Sequence, residues 1–335
     1  MTESNQGKLD PIGKISLIMP AFNAEDYVAC AIQSCLDQTY ENWELIIVDD
    51  YSSDSTIKEI QKFNDPRIKL HKLNQNSGPG AARNMGLDKC SGEWITVLDA
   101  DDAMCLNRLS TFHEVATTTG KDYVYYDNLL TWVGQGVIPL VLDQKSKNYA
   151  KRKNKTLSVN EWLIKDSHAK PFFHKSLLLD GSVRYPEDIR GPEDTVFLVT
   201  LCAVNKISLI KLATRSYIYR ETPGSLSNRG LKQILAIKVA HTLLIEISNK
   251  FPSIIEGVNR LIKKNNDFEE FFELKNLFRN RSFVQFLDRL IHHPKVALIV
   301  GRMIMAKLYY EFVSISRTLS RSLGKKLSMG RRSGA

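Results

Sequence analysis

The stretch "EWITVLDADDAM", Glu93 to Met104, runs apolar and β-branched residues straight into Asp99, Asp101 and Asp102. Carboxylates crowded at the end of a buried strand repel one another, so something has to offset them. A solvated acidic turn that caps the helix near Leu106 is one answer. A divalent cation shared with a phosphorylated ligand is the other. Magnesium and manganese take oxygen ligands, usually one or two carboxylates plus substrate phosphates. On a continuing strand, Asp99 and Asp101 lie on one face.

The same grammar recurs upstream. Apolar runs "KISLIMP" (14–20), "WELIIVDD" (43–50) and "RIKLHKL" (67–73) alternate with helical spacing in "EDYVACAIQSCLDQ" (25–38), "SDSTIKEIQKF" (53–63) and "GAARNMGLDKC" (80–90). This alternation predicts an α/β fold, a mostly parallel sheet flanked by helices. The unbroken run Leu45 to Val48 fits a strand buried on both faces. In such sheets ligands bind beyond the carboxyl ends of the strands. Asp49 and Asp50 end the second strand, and Asp99 and Asp101 the fourth, so both pairs point at one crevice.

"GPGAAR" (78–83) is not a dinucleotide fingerprint: it follows the third strand and puts Arg83 where the last glycine belongs. Its glycines instead let the backbone turn tightly into a helix whose N-terminus faces the crevice. Beyond Asp122 the pattern loosens. "DYVYYDN" (122–128) reads as a strand and 143–155 as a polar, basic loop. "GPEDTVFLVTLCAVN" (191–205) reads as a helix with Val196, Phe197, Val199 and Thr200 on one face. Glu193 and Asp194 fall in its first turn, where acids suit the helix dipole. "TRSYIYRE" (214–221) is a late strand, and helical spacing resumes from Leu231.

The 335 residues are 43% hydrophobic and 25% charged, values of an ordinary globular protein. Five cysteines form no CxxC pair, which points to reduced thiols and away from structural zinc. No apolar leader and no 18-residue apolar run is visible, so the expectation is a cytoplasmic chain. The net charge is +9, and from Gly301 to Ala335 eight Lys or Arg face only Glu311. Leu298, Ile299, Met303, Ile304, Leu308 and Phe312 beside Arg302, Lys307, Arg317 and Arg321 suit a basic amphipathic helix at an anionic membrane surface. They equally suit a helix covering the catalytic domain or a second subunit. Nucleic acid is a poorer partner, because no base-reading motif accompanies the charge. The oligomeric state is not readable.

Five ordered stretches carry a more specific likeness: "SLIMPAFNAEDYVACAIQSCLDQTYENWELIIVDDYSSDST" (16–56), "NSGPGAARNMGL" (76–87), "SGEWITVLDADD" (91–102) and, more weakly, "GPEDTVF" (191–197) and "YIYRETPGSLS" (217–227). The chain resembles the family 2 glycosyltransferases of bacterial exopolysaccharide and lipopolysaccharide synthesis. The resemblance implies a GT-A fold at 14–229, after a polar tail at 1–13. A helical region at 230–326 and a basic tail at 327–335 follow.

It also implies roles. Pro20, Ala21, Phe22, Asn23 and Glu25 frame the nucleotide; Asp50, with Asp49, reads the base; Gly78, Arg83 and Ala100 border the donor. Asp99 and Asp101 hold manganese or magnesium against the diphosphate, and Arg220 helps neutralise the leaving group. Asp194, beside Glu193, is the general base. Tyr51 stands where the family usually has glycine, and Ser55 where a second glycine is common. The implied reaction is inverting and metal-dependent, moving a hexose from a UDP-sugar to an acceptor such as a lipid-linked saccharide. No Q-x-x-R-W motif is present, so one sugar per acceptor is expected, on the cytoplasmic side of the membrane. A nucleotidyltransferase or a non-catalytic nucleotide-sugar scaffold are the alternatives.

Overall fold

The computed structural model describes residues 13–132, 153–166, 169–220 and 231–266. All but the last four belong to a compact unit ending at Ile262. The loop expected at 143–155 lies largely outside the described residues, as do all helices expected beyond residue 266.

In chain order the elements are β1 (Ile15–Ala21), α1 (Val28–Leu36), β2 (Trp43–Asp49), α2 (Thr56–Ile60), β3 (Ile68–Lys72), α3 (Pro79–Lys89) and β4 (Trp94–Val97). There follow β5 (Ala103–Met104), α4 (Arg108–Thr119), β6 (Tyr123–Tyr126), β7 (Leu129–Trp132), β8 (Lys155–Leu157), α5 (Val159–Lys165) and β9 (Phe172–His174). The described chain then forms α6 (Glu193–Asn205), β10 (Ser208–Lys211), β11 (Tyr217–Arg220) and α7 (Leu231–Lys250).

The main sheet has the order β3-β2-β1-β4-β9-β6-β10-β8, and a small one the order β5-β11-β7. Strands β3, β2, β1 and β4 are parallel, as the alternation predicts. The exceptions are the edge strand β8, antiparallel to β10, and β9, which enters antiparallel between β4 and β6. The first residues of β9 therefore lie beside the carboxyl end of β4, with Phe172 opposite Thr96.

Side chains alternate across β1, so Leu17 and Met19 face one way and Ile18 the other. The first pair joins a core with Val28, Ala31 and Ile32 of α1 and Leu109 and Phe112 of α4. Ile18 joins a second core with Leu87 of α3, Phe197 and Val199 of α6 and Leu244 of α7. Burying each of the larger of these side chains (Val, Leu, Ile, Met, Phe) contributes about 1.5–3 kcal/mol relative to leaving it exposed. Gly86 lets α3 lie against β1: a Cβ there would come within 2.3 Å of Ile18 Cγ2.

Three expectations are corrected. β4 ends at Val97, not at the acids, because Asp102 N–H donates to the Asp99 carbonyl (3.0 Å) and closes a tight turn. Asp99 and Asp101 thus do not share a strand face. No aspartate caps α4; its N-cap is Asn107, without a side-chain bond. And α6 is apolar on more than one side, burying Val196 to Val199 and Leu201 to Ala203 between elements.

Candidate active site

The loops after β1 and β2 are fastened to each other. Asn23 N–H donates to Ser52 Oγ (3.0 Å) and Asn23 Oδ1 accepts from Ser53 N–H (2.9 Å). Glu25 accepts from Ser55 N–H (2.8 Å). Asn23 and Glu25 therefore frame the crevice by holding its loops. Pro20 and Ala21 are the last residues of β1, and Phe22 projects at the rim, 44% exposed. Tyr51, in the position where a glycine was expected, takes the left-handed φ of 65° that favours glycine.

Asp49 and Asp50 are both buried. The Asp50 carboxylate accepts from the N–H groups of Ser77 (2.6 Å) and Gly78 (2.8 Å), so it pins the turn into α3. Burial pushes its carboxyl up, against the pull of those N–H groups and of Arg190. Gly78 reaches this position with a φ of 95°. Asp49 Oδ2 accepts from Ser52 N–H (3.1 Å), whereas its Oδ1 is buried with no partner among the described residues. An unsatisfied buried carboxylate oxygen is uncommon and calls for a ligand or a solvent partner.

The centre of the site is an ionic cluster. Arg83, buried in α3, donates to Asp99 Oδ1 (2.8 Å) and Glu193 Oε1 (2.6 Å) and lies 3.1 Å from Asp194 Oδ1. Lys170 Nζ donates to Asp99 Oδ2 and to Asp194 Oδ2 (3.0 Å). Burial alone would pull the Lys170 pKa down, but Asp194 and Asp99 outweigh it and hold it up, so the group is cationic. Burial works against the Asp99 carboxylate, yet Lys170 and Arg83 hold its pKa well below the usual range. Glu193 is buried and also accepts from Gly191 N–H, so both its oxygens are engaged. Asp99 and Asp194 keep 23% and 25% side-chain exposure, so this is where the cluster opens.

Within the turn, Ala100 is buried and the Asp101 carbonyl accepts from Arg220 Nε (2.9 Å). Arg220 is itself buried and lies over Trp132, 4.2 Å from the ring centre. Asp102 accepts from the Tyr217 hydroxyl (2.7 Å) and Arg220 N–H (2.8 Å). Burial first, then Asp99 and Asp101, raises its pKa well above the ordinary value. His174 bonds to Ser176 Oγ (2.8 Å) and stands edge-on to Trp94, away from the cluster. Among the described residues no three His, Cys, Asp or Glu converge as a preformed metal cage.

Sequence reasoning misses Lys170 and the pair beneath it. Arg108 and Asp127 form a buried ion pair, and Arg108 Nη2 donates to the Lys170 carbonyl (3.2 Å). No local pattern marks Lys170; the antiparallel entry of β9 brings it to the crevice.

A profile for "Glycosyl transferase family 2" matches residues 16–169. The chain carries a family 2 glycosyltransferase domain. It is 30% identical over 230 residues to succinoglycan biosynthesis protein ExoO of Rhizobium meliloti, covering 67% of this chain and 65% of that protein. It is 34% identical over 156 residues to the Escherichia coli UDP-Glc:alpha-D-GlcNAc-diphosphoundecaprenol beta-1,3-glucosyltransferase WfgD, 40% of this chain and 62% of WfgD. The chain thus spans less than two thirds of the length of these relatives.

Among solved structures, Staphylococcus aureus TarS in complex with UDP-GlcNAc aligns with a TM-score of 0.57 at 19% identity, over 82% of this chain and 89% of that one. A mannosyltransferase of Pyrobaculum calidifontis in complex with GDP-Man and Mn2+ aligns at 0.58 with 14% identity, over 89% and 81%. At these identities the likeness is one of fold, and the family 2 domain has the GT-A fold.

Proposed function

We propose that the chain is an inverting, non-processive glycosyltransferase moving a hexose from a UDP-sugar to a hydroxyl of a lipid-linked saccharide. The observation that carries the reading is the meeting of Asp99, from the turn after β4, with Asp194, from the start of α6, on the single ammonium of Lys170. A donor-side carboxylate and a carboxylate fit to take a proton stand together at the carboxyl edge of a parallel sheet. WfgD, as its name states, uses UDP-Glc and a diphosphoundecaprenol-linked acceptor, which supports the donor and acceptor classes.

The base lies over the ends of β1 and β2, where the unpartnered Asp49 Oδ1 accepts a uracil N–H and Phe22 borders the ring. Asp50 serves by holding the Gly78 turn in place. The acceptor hydroxyl attacks the anomeric carbon, Asp194 takes its proton, and the diphosphate leaves on the opposite face. Arg83 fixes the relative position of Asp99 and Asp194, with Glu193 as its buried counter-charge.

Asp99 and Asp101 fit a hard divalent cation. Each Asp99 oxygen has one hydrogen-bond partner among the described residues and a second lone pair, and a site with few protein ligands among those residues suits an ion completed by substrate phosphates. When bound, manganese or magnesium supplies positive charge to the leaving diphosphate. Among the described residues no helix is long and apolar enough to cross a membrane. The basic segment after Val296 is the part we assign to the membrane surface that carries the acceptor, on its cytoplasmic face.

The test is a screen of nucleotide sugars for release of nucleoside diphosphate, with metal or chelator, with and without bacterial lipid extract. Release of UDP that needs both metal and lipid is the expected result. Lipid-independent synthesis of a nucleotide sugar, or binding of a nucleotide sugar without turnover under any condition, would replace this reading.

A further inference from the structure

We propose that Lys170 is a diphosphate-binding residue that exchanges its carboxylate partners for the leaving group when donor enters. The inference rests on the donor reading above and adds to it a residue that the acidic motifs do not contain.

Three observations carry it. The first is position. The sheet runs β2-β1-β4-β9, so a nucleotide with its base at Asp49 and its sugar at Asp194 has to cross β4 toward the start of β9. Lys170 stands there, two residues ahead of Phe172.

The second is valence. An ammonium has three donors, and Lys170 spends two, on Asp99 and Asp194. The third has no hydrogen-bond acceptor among the described residues: the ammonium lies over the Tyr217 ring, 5.9 Å from its centre, and the side chain is only 13% exposed. The two carboxylates it bridges are about twice as open, so the cluster faces solvent on the side a ligand would enter.

The third is anchorage. The Lys170 carbonyl is held by Arg108 (3.2 Å), itself locked by Asp127, and the next carbonyl, of Pro171, by Thr96 Oγ1 (2.9 Å). The backbone is fixed while the four-carbon stem can swing. This suits a cation that trades partners without moving its strand.

The step balances without a proton on or off Lys170. The anomeric C–O bond breaks and its electron pair stays on the diphosphate oxygen. The acceptor oxygen bonds to the anomeric carbon, and the acceptor proton passes to Asp194. The ammonium stays protonated and offsets the charge on the departing phosphate. Because it also pairs with Asp194, its move frees one oxygen of the base.

The experiment compares UDP with uridine by calorimetry in chelator, so that only protein groups meet the phosphates. Lys170→Met is expected to weaken UDP by roughly 10- to 100-fold, the range of a charge-assisted hydrogen bond. Uridine affinity should stay within about twofold, and Lys170→Arg should recover part of the UDP loss. Lys170→Gln takes the place of Lys170→Met if the latter does not fold, which circular dichroism decides. Equal losses for UDP and uridine would make Lys170 a structural residue, and unchanged UDP affinity would remove it from the phosphate site; either result overturns the proposal. If wild type binds neither UDP nor uridine but does bind another nucleoside diphosphate, the uridine assignment fails on its own. The same comparison with that nucleotide and its nucleoside then decides on Lys170.

Discussion

Arg83 and Glu193 form a buried ion pair (2.6 Å) that ties α3 to the first turn of α6 across 110 positions of sequence. Both side chains are at most 4% exposed. Burial alone would lower the Arg83 pKa, but Asp194, Asp99 and Glu193 raise it well above the ordinary value, so the charge is permanent. Removing one partner of such a pair leaves the other uncompensated, at a cost of about 3–5 kcal/mol. Arg83→Met is therefore expected to destabilise by about that amount in urea unfolding at pH 7. Adding Glu193→Gln should recover more than about 1 kcal/mol, since residues in one network are not additive. Additive losses would mean that the two groups do not depend on each other.

Asp101→Asn tests the metal. Weak metal binding without nucleotide is expected, because phosphates supply ligands. Wild type should bind UDP more tightly with manganese than with chelator, and the substitution should erase most of that difference. Equal affinity in both media for wild type would remove the metal from the site.

The parallel half of the sheet was legible because strands buried on both faces, such as Leu45 to Val48, are continuous apolar runs, and because an acid closes β2 and acids follow β4 in the next turn. The gathering of Asp99 with Asp194 was legible only through the family resemblance, since 95 positions separate them. What stayed hidden is non-local. The direction of β9 sets Lys170 beside Asp99, yet "KPFFHK" reads the same for a parallel or an antiparallel strand. Arg108 sits in a helix with the spacing of a surface residue and is buried only because Asp127 and Ser216 meet it from other elements. The turn after Val97 is closed by one backbone bond and held by Tyr217 and Arg220 from a distant strand, contacts that no composition announces.

Glu44 is an acid that the site does not use. It is buried and accepts from Ser16 Oγ (2.7 Å), Ser91 N–H (2.6 Å), Lys14 (2.9 Å) and Lys69 (2.7 Å). Burial raises its pKa, but Lys69, Ser16 and Ser91 outweigh it and hold the carboxyl far below its ordinary 4.5. With the folded value below the unfolded one, its stabilisation is complete above about pH 4.5 and is lost as pH falls toward the folded value. Glu44→Gln should lower stability at pH 7 by roughly 1–3 kcal/mol and flatten the decline below pH 4.5. A parallel decline in both proteins would show that other carboxylates govern the acid limb.

The basic segment after Val296 lies outside the described residues, and its role is open to direct measurement. Each Lys or Arg near an anionic surface contributes about 1 kcal/mol. Full-length protein should sediment with anionic vesicles at low salt, less at high salt, and not with neutral ones. A chain ending at Pro294 should lose this binding. Equal binding by both chains would place the membrane contact elsewhere, and insolubility of the shorter chain would mark the segment as cover for a core or a subunit interface.

Asp194→Asn separates binding from chemistry. The amide keeps the shape of the side chain that meets Lys170 (3.0 Å) and Arg83 (3.1 Å), so the crevice should persist. Its oxygen can no longer take the acceptor proton. A general base contributes about 10²–10⁴-fold, so transfer should fall by that range while UDP affinity changes less than about threefold, a loss confined to the transition state. Loss of UDP binding in step with activity would assign Asp194 to the architecture of the site. The configuration of the product supplies an independent check. One carboxylate opposite the leaving group delivers inversion at the anomeric carbon, and a retained configuration in the wild-type product would remove Asp194 as an inverting base even if the variant were inactive.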